Sequence, residues 1–448
     1  MFSKILIANR GEIAVRVIRA CRDLDVISVA VYSEADKQAL HAQIADEAVC
    51  IGPAQAKDSY LNADNLIEAA LGAGAQAIHP GYGFMSENAD FAQKCEENGL
   101  VFIGPHPDVI RKLGDKASAK EMAKRAGVPL TPGSDGVLKD VLDAAQWAEK
   151  IGYPVMIKAS AGGGGKGIRV VECEGELEAA FRSASAEAEA NFGDGRLYME
   201  KLIRHPRHVE VQIMADAFGN VIHLFDRDCS VQRRHQKLIE EAPAPFLSDK
   251  VRKKMCSCAV SLAKEAGYLG AGTVEFLVDD EQNFYFCEMN TRIQVEHPVT
   301  EMVTGVDLVA LQLRAAAGEM LGVKQKDISL QGTAMECRIN AENPNAGFAP
   351  CPGTIASMHL AGGIGVRVDC AVYPGYTIPP YYDSMIGKLI VHGNAREETL
   401  SRMKRAMSEM LFEGVETSVD YQLSILLSDA FADGKYHTDS IENGDFFR

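Results

Sequence analysis

Long hydrophobic runs are scarce in this sequence, and none is long enough to span a bilayer as a helix. No secretory signal peptide is visible, because Met1 leads directly into a strand-like run, Lys4–Ala8. The 11 cysteines are odd in number and scattered, which is typical of reduced thiols in a cytoplasmic protein. The closest pair, Cys256 and Cys258, lies in a helical pattern where residues two apart do not face each other, so a zinc site is not indicated. We predict a cytoplasmic protein without membrane insertion.

Positive charge is also in short supply. Lys and Arg number 46 against 62 Asp and Glu, which gives a net charge of -16. This balance disfavours non-specific binding to nucleic acids or to anionic membranes, but a local basic pocket could still bind an anionic substrate. A hydrophobic content of 47% is ordinary for a globular enzyme, and 448 residues suggest two or three domains at about 150 residues each.

The three-glycine dinucleotide fingerprint is absent from the N-terminal part, residues 1–103. Strand and helix patterns alternate there, which predicts a doubly wound α/β domain with a parallel sheet. The first strand-to-helix turn, Asn9–Glu12, lacks the required glycines, so an NAD site is disfavoured. His79–Phe84 follows a predicted strand, at the edge where such sheets bind ligands. Tyr82 and Gly83 either contact a substrate or belong to a simple tight turn.

A P-loop is missing too, although residues 162–165 are four consecutive glycines between two predicted strands. A P-loop would continue with Ser or Thr and a helix, whereas Lys166-Gly167 and a strand follow here. The free backbone N–H groups of such a loop can close on a polyphosphate as a mobile lid, with Lys158 reaching a phosphate. We favour this interpretation over a flexible linker, because strands and lysines flank the loop.

The glycine loop belongs to a predicted small α+β unit, residues 133–203, which follows a helical connector, residues 104–132. Lys116 at a helix start is electrostatically unfavourable for the helix, so it either binds phosphate or is an ordinary surface lysine. Near the end of the unit, Glu200 to Ile203 could offer carboxylate and backbone groups to a purine edge. Residues 204–448 are predicted to form the largest domain, built around a mixed sheet.

Two polar features stand out in this largest domain. Arg227–Lys237 concentrates positive charge, either as a solvated face or, as we favour, as an anion pocket. A hairpin formed by strand Gly272–Val278 and the turn after it would bring Glu275 level with Glu288.

Polar residues then recur at every second position, at Asn290, Arg292, Gln294 and Glu296. If this segment stays extended, these side chains share one face. Two converging carboxylates with the Asn290 amide oxygen favour a Mg²⁺ or Mn²⁺ site that carries phosphates; the alternative is a surface hairpin with scattered charge.

These features together resemble the ATP-grasp superfamily, and within it the biotin carboxylase family. The superfamily resemblance rests on the glycine loop after Lys158, the Met199-Glu-Lys201 strand and the acidic hairpin. The strings that are similar to biotin carboxylase are Ile7-Ala-Asn-Arg-Gly-Glu-Ile-Ala14, His79-Pro-Gly-Tyr-Gly83, Arg227-Asp-Cys-Ser-x-Gln-Arg-Arg-His-Gln-Lys237, Glu288-Met-Asn-x-Arg-x-Gln-Val-Glu-His-Pro298, Glu336-Cys-Arg-Ile-Asn-Ala-Glu342 and Tyr381-Tyr-Asp-Ser-Met385. The resemblance runs essentially from end to end. Since no biotinylation motif or carboxyltransferase domain is seen, the chain resembles a free-standing biotin carboxylase subunit.

The resemblance implies a role for each matching residue. ATP, as co-substrate, would be bound by Lys116, Lys158, Gly164, Gly165, Glu200, Lys201, Leu202, Ile203, His208, Gln232, His235, Glu275 and Glu288. Mg²⁺ or Mn²⁺, about two ions per site, would be held by Glu275, Glu288 and Asn290. Bicarbonate would be held by Lys237, Arg292, Gln294 and Val295. The implied catalytic residues are Arg292, Glu296 as the base, Lys237 and Arg338. Biotin would meet Arg338 at its ureido oxygen and Tyr82 beside its ring.

The family also implies partners, namely a biotin carboxyl carrier protein, carboxyltransferase subunits and a second copy in a homodimer. We expect the first half-reaction of acetyl-CoA carboxylase, which leads to malonyl-CoA and fatty acids. The alternative is the biotin carboxylase subunit of a pyruvate or other 2-oxo-acid carboxylase. Another acyl-phosphate-forming ATP-grasp ligase is disfavoured by the strings around Arg338. A non-catalytic nucleotide-binding regulatory subunit is disfavoured by Lys237 and Glu296, which a sensor would not need.

Overall fold

The computed structural model of the chain describes residues 1–160 and 167–447. Gly164 and Gly165, predicted to contact the nucleotide, lie outside the described residues. The described part forms sheets of five, three and eight strands, together with three pairs of short strands. No helix in these two ranges is both long and apolar enough to cross a membrane.

The N-terminal part is a parallel five-stranded sheet with strand order β3-β2-β1-β4-β5. The chain starts in the middle of the sheet and winds outwards in both directions, so the doubly wound prediction is confirmed. Helix α1 forms because Ile13, Val17 and Ala20 recur on one face, and all three are buried. The elements are β1 Lys4–Ile7, α1 Gly11–Asp23, β2 Ile27–Tyr32, α2 Leu40–Ile44, β3 Glu47–Cys50, α3 Ala63–Gly72, β4 Ala77–His79, α4 Ala89–Glu97 and β5 Val101–Phe102.

Reversal of the winding between β1 and β4 places two loops side by side at the carboxyl ends of these strands. Asn9 bridges the loops, because its Nδ2 donates to the carbonyl oxygens of Pro80 and Tyr82, each at 2.7 Å. The connector that follows is helical, as predicted, and the Asp115 side chain caps its second helix at Ser118 N. Its elements are α5 Pro107–Gly114 and α6 Lys116–Arg125.

The glycine-loop unit is a three-stranded antiparallel sheet of order β7-β6-β8, covered by two helices. It has its own small core, which includes Val155, Ile157, Met199 and Ala184. Its elements are α7 Val141–Ile151, β6 Val155–Ala159, β7 Ile168–Val171, α8 Glu174–Phe192 and β8 Leu197–Lys201. Below, "lid unit" denotes residues 133–160 and 167–203.

The remaining residues are organised by an eight-stranded sheet of order β13-β12-β9-β10-β11-β14-β21-β19. The elements are β9 Arg207–Ala215, β10 Val221–Arg233, β11 Gln236–Ala242, α9 Asp249–Glu265, β12 Gly270–Val278, β13 Phe284–Asn290, α10 His297–Thr304, α11 Leu308–Ala316, β14 Thr333–Asn340, β15 Glu342–Asn343, β16 Ala349–Pro350, β17 Gly353–Thr354, β18 Ser357–His359, β19 Val366–Cys370, β20 Thr377–Ile378, β21 Met385–Gly393, α12 Arg396–Glu409, β22 Leu411–Glu413, α13 Val419–Leu427 and α14 Asp429–Ala432. Single turns of 3₁₀ helix occur at Glu34–Asp36, Ala56–Asp58, Gln325–Asp327, Pro344–Ala346 and Asp445–Phe447.

The large sheet differs from the expected mixed sheet in the direction of its strands. Every pairing in it is antiparallel. Hairpin turns join β9 to β10, β10 to β11 and β12 to β13, and such short connections can only produce antiparallel neighbours. The basic segment Arg227–Lys237 runs from β10 through the turn into β11, and it is not a solvated face along its whole length, because Arg227 to Gln232 are buried.

Candidate active site

A cavity of about 640 Å³ lies between the lid unit and the large sheet, and it gathers most of the predicted site. Predicted residues that line it are Lys158, Glu200, Lys201, Ile203, His208, Gln232, His235, Lys237, Glu275, Glu288, Asn290, Arg292, Gln294, Val295, Glu296 and Arg338. Four predicted residues in the described part do not line it, namely Lys116, Leu202, Tyr82 and Gly83. The cavity is also lined by apolar Met156, Leu238, Leu277 and Met385, which no sequence pattern had indicated as site residues.

The acidic hairpin has the predicted register. Glu275 on β12 pairs directly with Glu288 on β13. The strand ends at Asn290, so the following residues are not an extended strand as the alternation suggested. The alternation holds only in part: Arg292 lines the cavity and Ile293 enters the core, but Gln294, Val295 and Glu296 all line the cavity.

Glu275 is the most heavily bonded carboxylate in the hairpin. Its Oε1 accepts hydrogen bonds from Lys237 Nζ at 3.0 Å, Asn290 Nδ2 at 2.9 Å and Gln294 Nε2 at 2.8 Å. Its Oε2 lies 3.0 Å from His208 Nε2. Burial would raise the pKa of Glu275, but Lys237 and His208 outweigh burial and hold that pKa well below its ordinary value. Glu275 is therefore ionised.

Lys237 is shared by three carboxylates. Its Nζ donates to Glu210 at 2.6 Å, to Glu275 at 3.0 Å and to Glu296 at 2.8 Å. Burial alone would lower the pKa of Lys237, but these three negative charges raise it well above its ordinary value. An ammonium with three tetrahedral donors fits three acceptors, and it is a fixed positive charge at the centre of the cavity wall.

Glu296 lies between two cations. Its Oε1 accepts from Lys237, and its Oε2 accepts from a terminal nitrogen of Arg338 at 2.9 Å. Burial would raise the pKa of Glu296, but Lys237, Arg338 and the buried Arg227 together lower it. Arg338 is held on its other side by Glu240, whose carboxylate accepts from Nε at 2.6 Å.

Arg292 is oriented by the N-terminal part. Its Nε donates to Glu87 Oε2 at 2.9 Å, and one terminal nitrogen donates to Asn290 Oδ1 at 3.0 Å. Glu87 also accepts from the backbone N–H of Thr291 at 3.0 Å, so it ties the whole turn to the N-terminal part.

At the lid end of the cavity, Glu200 is paired with two lysines. Lys158 Nζ donates to its Oε2 at 2.6 Å, and Lys120 donates to its Oε1. Burial opposes ionisation of Glu200, but the two lysines lower its pKa. Lys201 points elsewhere, since its Nζ donates to the carbonyl oxygens of Gly152 and Tyr153 at 2.9 Å.

The four residues outside the cavity lining differ in their surroundings, and Gly83 follows Tyr82 in the loop after β4 with a φ of 67°. Lys116 begins α6, and its charge lowers the pKa of Glu288 against the larger effects of burial and Glu275. Leu202 is partly buried and bonds through its backbone N–H to the carbonyl of Pro154 at 3.2 Å. Tyr82 donates its hydroxyl to Glu12.

Comparison with known proteins identifies the family. The N-terminal domain model of biotin carboxylase matches residues 1–110, and its C-terminal domain model matches residues 336–443. The ATP-binding domain of the carbamoyl-phosphate synthase L chain matches residues 115–324. Biotin carboxylase 1 of Bacillus subtilis is 56% identical over 446 residues, covering 99% of each chain. The chain belongs to the biotin carboxylase family.

Other biotin carboxylase relatives belong to enzymes with different final substrates. A pyruvate carboxylase subunit of Methanothermobacter thermautotrophicus is 56% identical over 442 residues, covering 99% of this chain and 90% of its own. The biotin carboxylase domain dimer of Hydrogenobacter thermophilus 2-oxoglutarate carboxylase is a solved structure containing MgADP and bicarbonate. It is 52% identical with a TM-score of 0.91, and the match covers 100% of this chain and 99% of that chain. Because the chain belongs to the biotin carboxylase family, it is an ATP-grasp carbon–nitrogen ligase.

The donor set fits a hard divalent cation. Glu275 and Glu288 oppose each other, and both burial and the charge of Glu275 raise the pKa of Glu288. No described residue hydrogen-bonds the Glu288 carboxylate, which is open to the cavity. Two carboxylates and an amide oxygen are ligands that Mg²⁺ and Mn²⁺ prefer, and a cation would relieve the repulsion between the two glutamates. Asn290 directs its amide nitrogen to Glu275 and its oxygen to Arg292, so its side-chain amide would turn over to bind the cation.

Several charge partners in the site were not identified from sequence. Glu210, Arg227 and Glu240 are fully buried beneath the cavity wall, and Lys120 and Glu87 pair with predicted residues from other parts of the chain. Glu210 had a detectable signal, since the strand alternation around it places it on the face of His208 and Gln212. The others had none, because pairing between distant segments is not encoded in local spacing.

Proposed function

We propose that this biotin carboxylase uses ATP, with Mg²⁺ or Mn²⁺, and bicarbonate to carboxylate biotin held on a biotin carboxyl carrier protein. One observation carries the proposal: Lys237, Glu296 and Arg338 form a single hydrogen-bonded cluster on the cavity wall, with contacts of 2.8 and 2.9 Å. A carboxylate base can take the proton of a weak nucleophile, and two adjacent cations can stabilise the negative charge that then develops.

We assign the lid end of the cavity to the nucleotide. Lys158 would meet a phosphate as a point charge, and Glu200 to Ile203 would face the purine. Apolar Met156 and Leu277 line the same cavity and suit the flat base. The other proposed contacts are Lys116, Gly164, Gly165, His208, Gln232 and His235. Mg²⁺ or Mn²⁺ at Glu275, Glu288 and Asn290 would offset the phosphate charge.

Bicarbonate would bind at Lys237, Arg292, Gln294 and Val295, beside the base Glu296. Bicarbonate becomes a useful nucleophile only when its proton is removed. Once bicarbonate accepts hydrogen bonds from Lys237, that lysine pairs less strongly with Glu296. The pKa of Glu296, held low chiefly by Lys237 against burial, then rises towards that of a working base. Substrate binding therefore activates its own base.

The deprotonated bicarbonate would attack the γ-phosphate and give carboxyphosphate and ADP. Breakdown of carboxyphosphate supplies CO₂ and phosphate, and phosphate can take the proton from biotin N1′. Arg338 would stabilise the negative charge that develops on the ureido oxygen, a role suited to a group that is always charged. We keep Tyr82 as a proposed biotin contact, acting from the loop after β4.

Family membership supports a proposal for the wider assembly. We propose acetyl-CoA carboxylase as the complex, with carboxyltransferase subunits, a homodimer of this chain and a cytoplasmic location. A second candidate is a pyruvate or other 2-oxo-acid carboxylase, because the pyruvate carboxylase relative is as similar, at 56%, as the Bacillus biotin carboxylase. We also propose domains at residues 1–103, 133–203 and 204–448, with 104–132 as connector.

Phosphate release from MgATP tests the proposal directly. We expect release to require bicarbonate and to rise when free biotin is added. Turnover that needs bicarbonate but ignores biotin would move the function to another carboxyphosphate-forming ligase. Carboxylation assays with candidate carboxyltransferase subunits and either acetyl-CoA or pyruvate would then separate the two complexes.

A further inference from the structure

Lys388 on β21 is a buried lysine that the proposed mechanism does not use. Its side chain is fully buried, its Nζ donates to the carbonyl oxygen of Val295 at 2.7 Å, and it lies 3.1 Å from Glu12 Oε1. A buried ammonium is costly unless its partners compensate it fully. The position therefore calls for an explanation beyond packing.

The group that Lys388 holds is the peptide that joins Val295 to Glu296. This peptide lies between the end of β13 at Asn290 and the start of α10 at His297, where no sheet ladder fixes the backbone. A hydrogen bond from a charged donor is stronger than one from a neutral donor. Lys388 thus supplies the constraint that regular secondary structure does not supply there.

Lys388 also lies next to Arg338, the residue proposed to contact biotin. It pairs directly with Arg338 across β14 and β21, so both side chains are on the same face of the sheet. One buried cation therefore lies behind both the proposed bicarbonate cradle and the arginine proposed for biotin.

Carboxyl groups from three different elements surround Lys388, and the ionised ones favour its charged form. Glu12 comes from α1, Glu336 from β14 and Asp369 from β19. Burial would lower the pKa of Lys388, but these three raise it. Glu12 also accepts the Tyr82 hydroxyl. The Asn9–Glu12 turn, which has no dinucleotide role, is thereby connected to the catalytic segment.

We propose that Lys388, compensated by Glu12, is a positioning residue that fixes the Val295–Glu296 peptide so that bicarbonate and the base Glu296 meet in the right geometry. The proposal rests on the proposed function, since it assigns Val295 and Glu296 to bicarbonate. It makes the N-terminal part a structural contributor to bicarbonate binding.

The test measures bicarbonate-dependent phosphate release for Lys388→Met. We expect the KM for bicarbonate to rise about tenfold, a factor that corresponds to about 1.4 kcal/mol. The KM for ATP should stay unchanged, because Lys388 bonds to Val295 and Glu12 and to none of the proposed nucleotide contacts. A purely structural role would lower the amount of active enzyme and leave both KM values alone.

The double variant Glu12→Gln/Lys388→Met separates positioning from charge balance. Removing both charges avoids an uncompensated buried carboxylate, so we expect the Tm to recover relative to Lys388→Met while the bicarbonate KM stays high. The double variant carries the test alone if the single variant does not fold. Recovery of the KM together with the Tm would overturn the proposal.

Arg252→Met is the matched control, since it breaks another buried ion pair, with Asp226 at 2.8 Å, on α9. It should lower the Tm without changing the bicarbonate KM. An equal rise in KM in this control, or an unchanged KM in Lys388→Met, would overturn the inference and leave the proposed function standing. Wild-type enzyme without bicarbonate-dependent, biotin-stimulated turnover would overturn both.

Discussion

Glu240 and Glu336 face each other across β11 and β14, and neither oxygen of Glu336 accepts a hydrogen bond from a described residue. Both side chains are fully buried. Burial raises the pKa of Glu336 well above its ordinary value, although Lys388 acts against it. Burial and the charge of Glu296 likewise raise the pKa of Glu240 to about 7, despite its bond to Arg338. The two carboxyl groups therefore lose their protons at a higher pH than an exposed pair would.

Glu336→Gln should flatten the dependence of stability on pH. A carboxyl whose pKa is higher in the folded than in the unfolded chain stabilises below the unfolded value, here 4.5, and that stability is lost as pH rises towards the folded value. The free energy of unfolding of the wild type should therefore fall by up to about 1.4 kcal/mol per pH unit. The variant should not show this fall. Urea unfolding between about pH 5 and pH 8, which covers this interval, measures the difference.

An exposed substitution provides the control for this experiment. Glu281 lies in the turn between β12 and β13 and is exposed, so Glu281→Gln should leave the pH dependence of the unfolding free energy unchanged. Parallel curves for the wild type and Glu336→Gln would contradict the assignment of a retained proton to Glu336.

Arg338→Gln should impair biotin carboxylation far more than bicarbonate-dependent ATP hydrolysis. Arg338 contacts Glu240 and Glu296 but none of the proposed nucleotide residues. Biotin carboxylation should fall by about a hundredfold or more, the usual cost of losing a group that stabilises a developing anion. Bicarbonate-dependent ATP hydrolysis should persist in large part. Equal loss of both activities, measured as phosphate release and as carboxybiotin formed, would remove Arg338 from the biotin step.

Much of the fold was predictable because its signals are local. The strand-like run at Lys4–Ala8 forms β1 at Lys4–Ile7, and strands and helices alternate through residues 1–103 as their patterns indicated. The Glu275–Glu288 register was also predictable, since a hairpin with a short turn leaves few alternatives. Spacing within one segment was sufficient for each of these.

The electrostatics of the site could not be predicted in the same way. Arg338 and Glu240 are 98 residues apart, and Lys388 and Val295 are 93 residues apart. Which charges pair depends on how the strands are ordered in the sheet, and that order is a property of the whole fold. The burial of Arg227 was missed for a related reason, because a run of basic residues is usually solvated.

Lys237→Gln should impair both activity and stability. Removing the ammonium leaves Glu210, Glu275 and Glu296 close together without their shared cation. Breaking a buried pair by deleting one partner costs about 3–5 kcal/mol, so the Tm should fall clearly. Bicarbonate-dependent ATP hydrolysis should fall at least about a hundredfold. Lys250→Gln, at an exposed position of α9, should change neither quantity. Wild-type turnover in Lys237→Gln would contradict the bicarbonate assignment.

Glu288→Gln should weaken Mg²⁺ binding without unfolding the enzyme. No described residue hydrogen-bonds the Glu288 carboxylate. The Tm of the variant, measured in the absence of ligands, should therefore be close to that of the wild type. Loss of one charged ligand should raise the Mg²⁺ concentration for half-maximal ATP hydrolysis about tenfold. The stabilisation by MgADP should shrink in parallel, because it depends on ligand affinity for the folded chain. A Mg²⁺ titration identical to that of Glu281→Gln would place the metal elsewhere in the cavity.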